Sequence, residues 1–177
     1  MGKVTPLDTS NSTQLWKKRQ EIPDPQVRDA ADQFESARQL LAQPSGFVLP
    51  LINTAAVAIE LYLKCLSAEK VYTDAPRGWS IVSAARQRGH SLTTLLDNID
   101  GDLQQELDHA FRAEPPAFAG LSFRDAVNQC EGAFQKSRYP FEGGNDVSKC
   151  PLDLLMTCSH FLQQFVAKLH TRETIQY

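Results

Sequence analysis

The sequence lacks a long hydrophobic run, a close pair of cysteines and any surplus of positive charge, and each absence closes off a class of function. Its most apolar stretch, Phe47 to Ile59, is stopped by Glu60 well short of the roughly 20 residues that a membrane span needs. The first twenty residues are polar and carry no apolar core of the kind an export signal requires, so a cytoplasmic location is expected. Acidic residues outnumber basic ones 21 to 18, a net charge of −3, which provides no global field for capturing nucleic acid or an anionic membrane. Cys65, Cys130, Cys150 and Cys158 form no C-x-x-C pair and stand at no zinc-finger spacing; three of them fall inside apolar helical patterns, where a thiol behaves as a small hydrophobe. His160 and His170 are nearly three helical turns apart, too far to share a metal, and no cofactor is expected. Glycine-rich phosphate loops, nucleophile elbows and H-E-x-x-H are all missing.

What is present is a helical pattern on 177 residues, about the size of one domain. Residues 1–22 have no sustained period and read as an arm or tail; 23–172 read as a single helical domain, and 173–177 as a short tail. Asp24 before Pro25 is a helix start, with the acid as N-cap and the proline where its missing N–H costs nothing. A second helix from about Val48 to Glu69 is apolar almost all round, the signature of a central buried helix. Residues 70–89 read as a linker, with a short helix around Trp79 to Arg88. Further helices begin at Gly89-His90-Ser91 and after Asp100-Gly101, and Pro115-Pro116 breaks the pattern. A fifth helix is expected at about Ser122 to Ser137 and a last one from near Pro151. No period-two run stands out. The expected fold is all-α: an antiparallel bundle of four to five main helices.

The second helix holds the most informative residues. At 100° per residue, Asn53, Glu60, Lys64 and Ser67 fall on one narrow stripe of an otherwise apolar surface. Such a stripe must face water or meet polar partners. His90 at one helix start, and Arg138 with Tyr139 at a helix end, are the candidate partners. The candidate polar site is therefore Glu60, Lys64, His90, Arg138 and Tyr139, with Arg86, Arg88 and Lys64 as a local basic patch. Taken singly, each residue also has a plain structural use: an i, i+4 ion pair, a cap, a cation at a helix C-terminus.

The segments AAVAIELYLKCLSAEK, GHSL and FQKSRYPFE, in that order, resemble the HEPN domains, small helical bundles of prokaryotic defence and toxin systems. The resemblance matches Glu60 and Lys64 to the family's Glu-x-x-x-Lys, and Gly89 to Leu92 to its Gly-His-[Ser/Asp]-Leu helix start. It implies a homodimer, a pairing also suggested by apolar residues on more helices than one core needs. Ribonuclease members carry arginine followed after four to six residues by histidine. No histidine here has an arginine in that window: Arg86 stands one residue too close to His90, and Arg138 is followed by Tyr139-Pro140. The resemblance thus implies a non-catalytic module that dimerises and binds a partner, RNA or nucleotide. The alternatives are a metal-independent ribonuclease with a rearranged site, or a bundle binding a small molecule.

Overall fold

The computed structural model describes residues 18–43, 46–75, 78–85, 89–113, 118 and 120–176. Among these the chain is predominantly helical, with seven α-helices: α1 (Pro25–Leu41), α2 (Val48–Cys65), α3 (Leu92–Asp97), α4 (Gly101–Arg112), α5 (Phe123–Cys130), α6 (Ala133–Arg138) and α7 (Leu152–Lys168). The N-caps follow the side-chain chemistry. Asp24 accepts from the Gln26 and Val27 amides at 3.0 and 3.1 Å, and Ser91, Asp100 and Ser122 cap α3, α4 and α5.

Helix α2 is the axis of the body. Ala55, Ala58, Ile59, Tyr62 and Leu63 are fully buried, and the helix packs on α1, α7, α6 and α3. Among the described residues it is the one helix long and apolar enough to cross a membrane, and more than half of it is buried against its neighbours. Around it the remaining helices contribute a continuous apolar core. Phe111, Phe123 and Phe161 meet edge-on or tilted, with ring centroids 5.1 to 5.3 Å apart, and lock α4, α5 and α7 together. All four cysteines are free and buried. Burial drives the Cys65 thiol far above its ordinary range, consistent with packing rather than reactivity.

Four expected segments differ. The stretch expected as a linker with a short helix is an antiparallel hairpin, β2 (Ala68–Ala75) with β3 (Gly78–Ala85). Its sequence is rich in residues that favour strands, Val71, Tyr72, Thr73, Trp79, Ile81 and Val82, without strict alternation. The ends of the chain join it: β1 (Lys18–Ile22), from the expected arm, pairs with both β2 and β4 (Arg172–Gln176), from the expected tail, giving a four-stranded sheet ordered β3-β2-β1-β4. Asp24 moors this sheet to the helices, because the Ser83 hydroxyl donates to its carboxylate at 2.7 Å while its amide donates to the Cys65 carbonyl at 2.9 Å. Finally, the expected fifth helix is two. Gly132 adopts φ of +76°, a left-handed conformation that a side chain would strain, and separates α5 from α6. Residues 1–17, Arg86, Arg88 and Pro115-Pro116 lie outside the described residues.

Candidate functional site

The polar stripe of α2 meets its partners at one corner of the bundle. Glu60 is almost entirely buried, yet its carboxylate accepts from two side chains. Lys64, one turn along, donates from Nζ at 2.5 Å, and His90 approaches both carboxylate oxygens through Nδ1, at 3.1 and 2.9 Å. A carboxylate only accepts, so Nδ1 carries the proton and Nε2 is left as the working nitrogen of the ring. The His90 side chain is 55 % exposed against 7 % for Glu60, so a buried acid orients a base that water reaches.

Local structure explains why His90 arrives there. Gly89 has φ of +124°, a turn open to glycine, and Ser91 caps α3 immediately afterwards, fixing the residue between them. Glu131, at the end of α5, accepts from the Thr93 amide and hydroxyl at 3.0 and 3.1 Å, holding the first turn of α3 against the α5–α6 junction. That junction presents Phe134, whose ring stacks with His90 at 5.1 Å and an interplanar angle of 29°.

Arg138 stands one turn beyond Phe134 on α6. Its guanidinium lies 5.2 Å from the Phe134 centroid and 5.2 Å from that of Tyr139, both cation–π distances. His90 and Arg138 therefore share the Phe134 ring as a packing partner, although neither bonds the other. Of the five candidate residues, Glu60, Lys64 and His90 form one hydrogen-bonded group, while Arg138 and Tyr139 join it only through Phe134. The remaining stripe residues are satisfied nearby: the Asn53 amide donates to Ser137 at 3.3 Å, and Ser67 is buried against the carbonyls of Leu63 and Lys64. Phe134 is not among the candidate residues that the sequence singles out. The available signal was its position four residues before Arg138, on the same helical face.

Two hollows adjoin Phe134. One, of about 140 Å³, is bounded by His90, Ser91, Glu131, Gly132 and Gln135. The other is an open groove of about 670 Å³ lined by Phe34, Leu49, Pro50, Val57 and Arg138. Among the described residues no group of three or more His, Cys, Asp or Glu side chains is placed to hold a metal ion. Chemically the corner offers a base and hydrogen-bond acceptor at His90 Nε2, one cation compensated by Glu60, and one cation, Arg138, held among the described residues by aromatic rings. The chain matches no family model, no curated protein and no solved structure.

Proposed function

We propose that the chain is a non-catalytic, HEPN-like helical module that pairs with a second copy and binds RNA or a nucleotide, within a prokaryotic defence or toxin–antitoxin system. The observation that carries the reading is the Phe134 ring with His90 stacked on it and Arg138 beside it. A base and its phosphate need an aromatic or planar surface together with a cation, and that pairing is how single strands are held without sequence readout. Glu60 holds His90 in place, and Arg138, with no carboxylate partner among the described residues, is the cation available to a phosphate.

Capture without cleavage follows from the same geometry. Cleaving RNA without a metal requires one group to take the 2′-hydroxyl proton and a cation to meet the charge growing on phosphorus. Lys64 is already neutralised by Glu60, and the Arg138 guanidinium is held over the Phe134 and Tyr139 rings. Fluorescence polarisation with labelled single-stranded RNA and with a labelled nucleotide, in EDTA, tests the proposal. Saturable binding of intact RNA, weakened about tenfold by Arg138→Ala, is expected; no binding of either probe overturns it.

The Glu60–His90 pair favours one second reading, a ribonuclease with a rearranged site. There Nε2 takes the 2′-hydroxyl proton as that oxygen bonds phosphorus, the P–O5′ bond breaks, and the leaving 5′-oxygen takes a proton from water, leaving a 2′,3′-cyclic phosphate. Metal-independent cleavage abolished by His90→Gln would replace the first reading with this one. A small-molecule site at this corner draws less support: the hollow at His90 is about 140 Å³, below the roughly 300 Å³ at which ligand pockets begin, and the groove of about 670 Å³ beside it is open rather than enclosed.

A further inference from the structure

Away from the Glu60 corner, α4 and the end of α7 border a further hollow of about 310 Å³, which shares no lining residue with the two beside Phe134. The sequence accounts for the gap. Helix α4 sends Leu107 and Phe111 into the core, but the residue it gives to the hollow is Ala110, whose single methyl leaves room. On α7 the hollow is lined by Phe161 and Phe165, one turn apart, with ring centroids at 5.9 Å. Helix α7 ends at Lys168. Leu169, with ψ of 126°, leaves the helix extended and leads to His170 and Arg172 on the same rim. Arg172 reaches back to Glu106 on α4 at 2.9 Å, which ties the start of β4 to the far side of the hollow.

The hollow joins an apolar floor to a cationic rim. Phe161 and Phe165 are nearly buried, and Phe161 is wedged against Phe111 and Phe123, so the floor is fixed by the core. Above it stand His109, Lys168 and His170, all exposed. The nearby acids are already neutralised: Glu106 pairs with Arg172, and Asp108 with Arg112. Lys168 and His170 have no carboxylate partner among the described residues. A lysine in the last turn of α7 also serves the helix C-terminus. That use does not explain why two histidines, one from α4 and one from the turn into β4, converge on the same opening.

We infer that this hollow is a binding site for a small aromatic carboxylate, its ring against Phe161 and Phe165 and its charge at Lys168 and the two histidines. Size limits the occupant. Ligand pockets begin at roughly 300 Å³, so one or two fused rings fit here and a nucleic-acid strand or a lipid chain does not. Chemistry narrows it further. An uncharged ring leaves the rim cation unmatched, and an inorganic anion leaves the aromatic floor in water. Lys168 is the permanent rim charge without a carboxylate, which suits a single negative charge, and a histidine donates a hydrogen bond in either protonation state. Phenyl edges also favour a second aromatic ring over an aliphatic chain. The hollow draws on α4, α7 and β4, and on none of Glu60, Lys64, His90 or Arg138, so its occupancy is independent of the proposed function.

Isothermal titration calorimetry of the full chain with naphthoate tests the site. Naphthoate is expected to saturate a single site at millimolar concentration or below. Naphthylmethanol, the same rings without the charge, should bind about tenfold more weakly, and inorganic phosphate, charge without rings, should not compete. Lys168→Gln should weaken naphthoate about tenfold, and Ala110→Leu, which fills the floor, should abolish its binding. Lys168 is exposed, so its replacement leaves the fold intact, which an unchanged urea midpoint checks. Absence of naphthoate binding at millimolar concentration overturns the site. Equal affinity for naphthylmethanol, competition by phosphate, or binding that neither substitution weakens overturns it as well.

Discussion

Glu35 and Glu60 are two carboxylates buried in the same helical body, one on α1 and one on α2, each with a half-exposed histidine nearby, and only Glu60 hydrogen-bonds it. Glu35 is fully buried. Arg38 grips both its oxygens, at 2.7 and 2.6 Å, Ser159 on α7 donates to it, and Gln39 adds a longer bond at 3.2 Å. Arg38 and Ser159 are themselves buried, and the half-exposed His160 stands 3.9 Å away, beyond hydrogen-bond reach, so Glu35 bolts α1 to α7. Glu60 is nearly as deep, with Lys64 in the place of Arg38, but its last acceptor capacity goes to a histidine that stands half in water. A buried acid saturated from inside is architecture. One that holds an exposed titratable ring in a fixed pose has made that ring available for binding.

The largest expected effect lies on the closed side. Arg38→Ala leaves the Glu35 carboxylate buried without its counter-ion, and removing one member of a buried pair costs about 3–5 kcal/mol. Urea unfolding should register most of a small domain's stability lost. A cost below about 1 kcal/mol would show that water reaches Glu35, and the contrast with Glu60 would collapse.

Asp108 is a third carboxylate, between the two extremes. Its side chain is 35 % exposed, and it accepts from the Arg112 guanidinium at 2.7 Å and from the Phe123 amide, the first of α5, at 2.8 Å. Partial desolvation pushes its pKa up, but the Arg112 and Phe123 hydrogen bonds outweigh that and hold the carboxyl below its usual range. A depressed native value means stability present above the unfolded carboxylate range and lost as pH falls through the native value. Asp108→Ala should cost about 1 kcal/mol at neutral pH for the lost acceptor at the helix start. The charge-dependent share, about 0.5 kcal/mol or less given solvent screening, should vanish in acid. Equal wild-type and variant slopes of stability against pH across the acid range would show that Asp108 is not selectively stabilised in its ionised form.

The difference between what was legible in the sequence and what was not follows the same inside–outside division. Helix starts were legible because capping is local: Asp24, Ser91 and Asp100 announce themselves within three residues. The α2 stripe was legible because helical periodicity alone sets its geometry. The sheet was not. Strands β1 and β4 come from opposite ends of the chain, and what defines them is backbone pairing across more than a hundred and fifty residues, such as Arg19 with Ile175, which no local pattern encodes. The same holds at the site. Glu60 and Lys64 are one turn apart and were readable, whereas the stacking of His90 on Phe134 depends on how α3 and α6 dock against α2.

The smallest expected effect is the most discriminating, because it separates the open carboxylate from the closed one. His90→Ala removes a half-exposed ring and leaves Glu60 still bonded to Lys64, so no buried charge is orphaned. Its cost to folding should stay within about 0.5 kcal/mol, the range of exposed ion pairs, against several for Arg38→Ala. Binding should respond differently. The ring lost is the one stacked on Phe134 and aimed by Glu60, so affinity for labelled RNA should fall about tenfold while the unfolding midpoint in urea barely moves. His90→Phe sharpens the test by keeping a ring on Phe134 while removing Nδ1 and Nε2. If that variant recovers the affinity, the ring face does the binding; if affinity stays lost, the Glu60-oriented nitrogen does. Should His90→Ala instead destabilise the fold as severely as Arg38→Ala with binding unchanged, the Glu60 corner would be a second bolt like Glu35, and the distinction between the two acids would be gone.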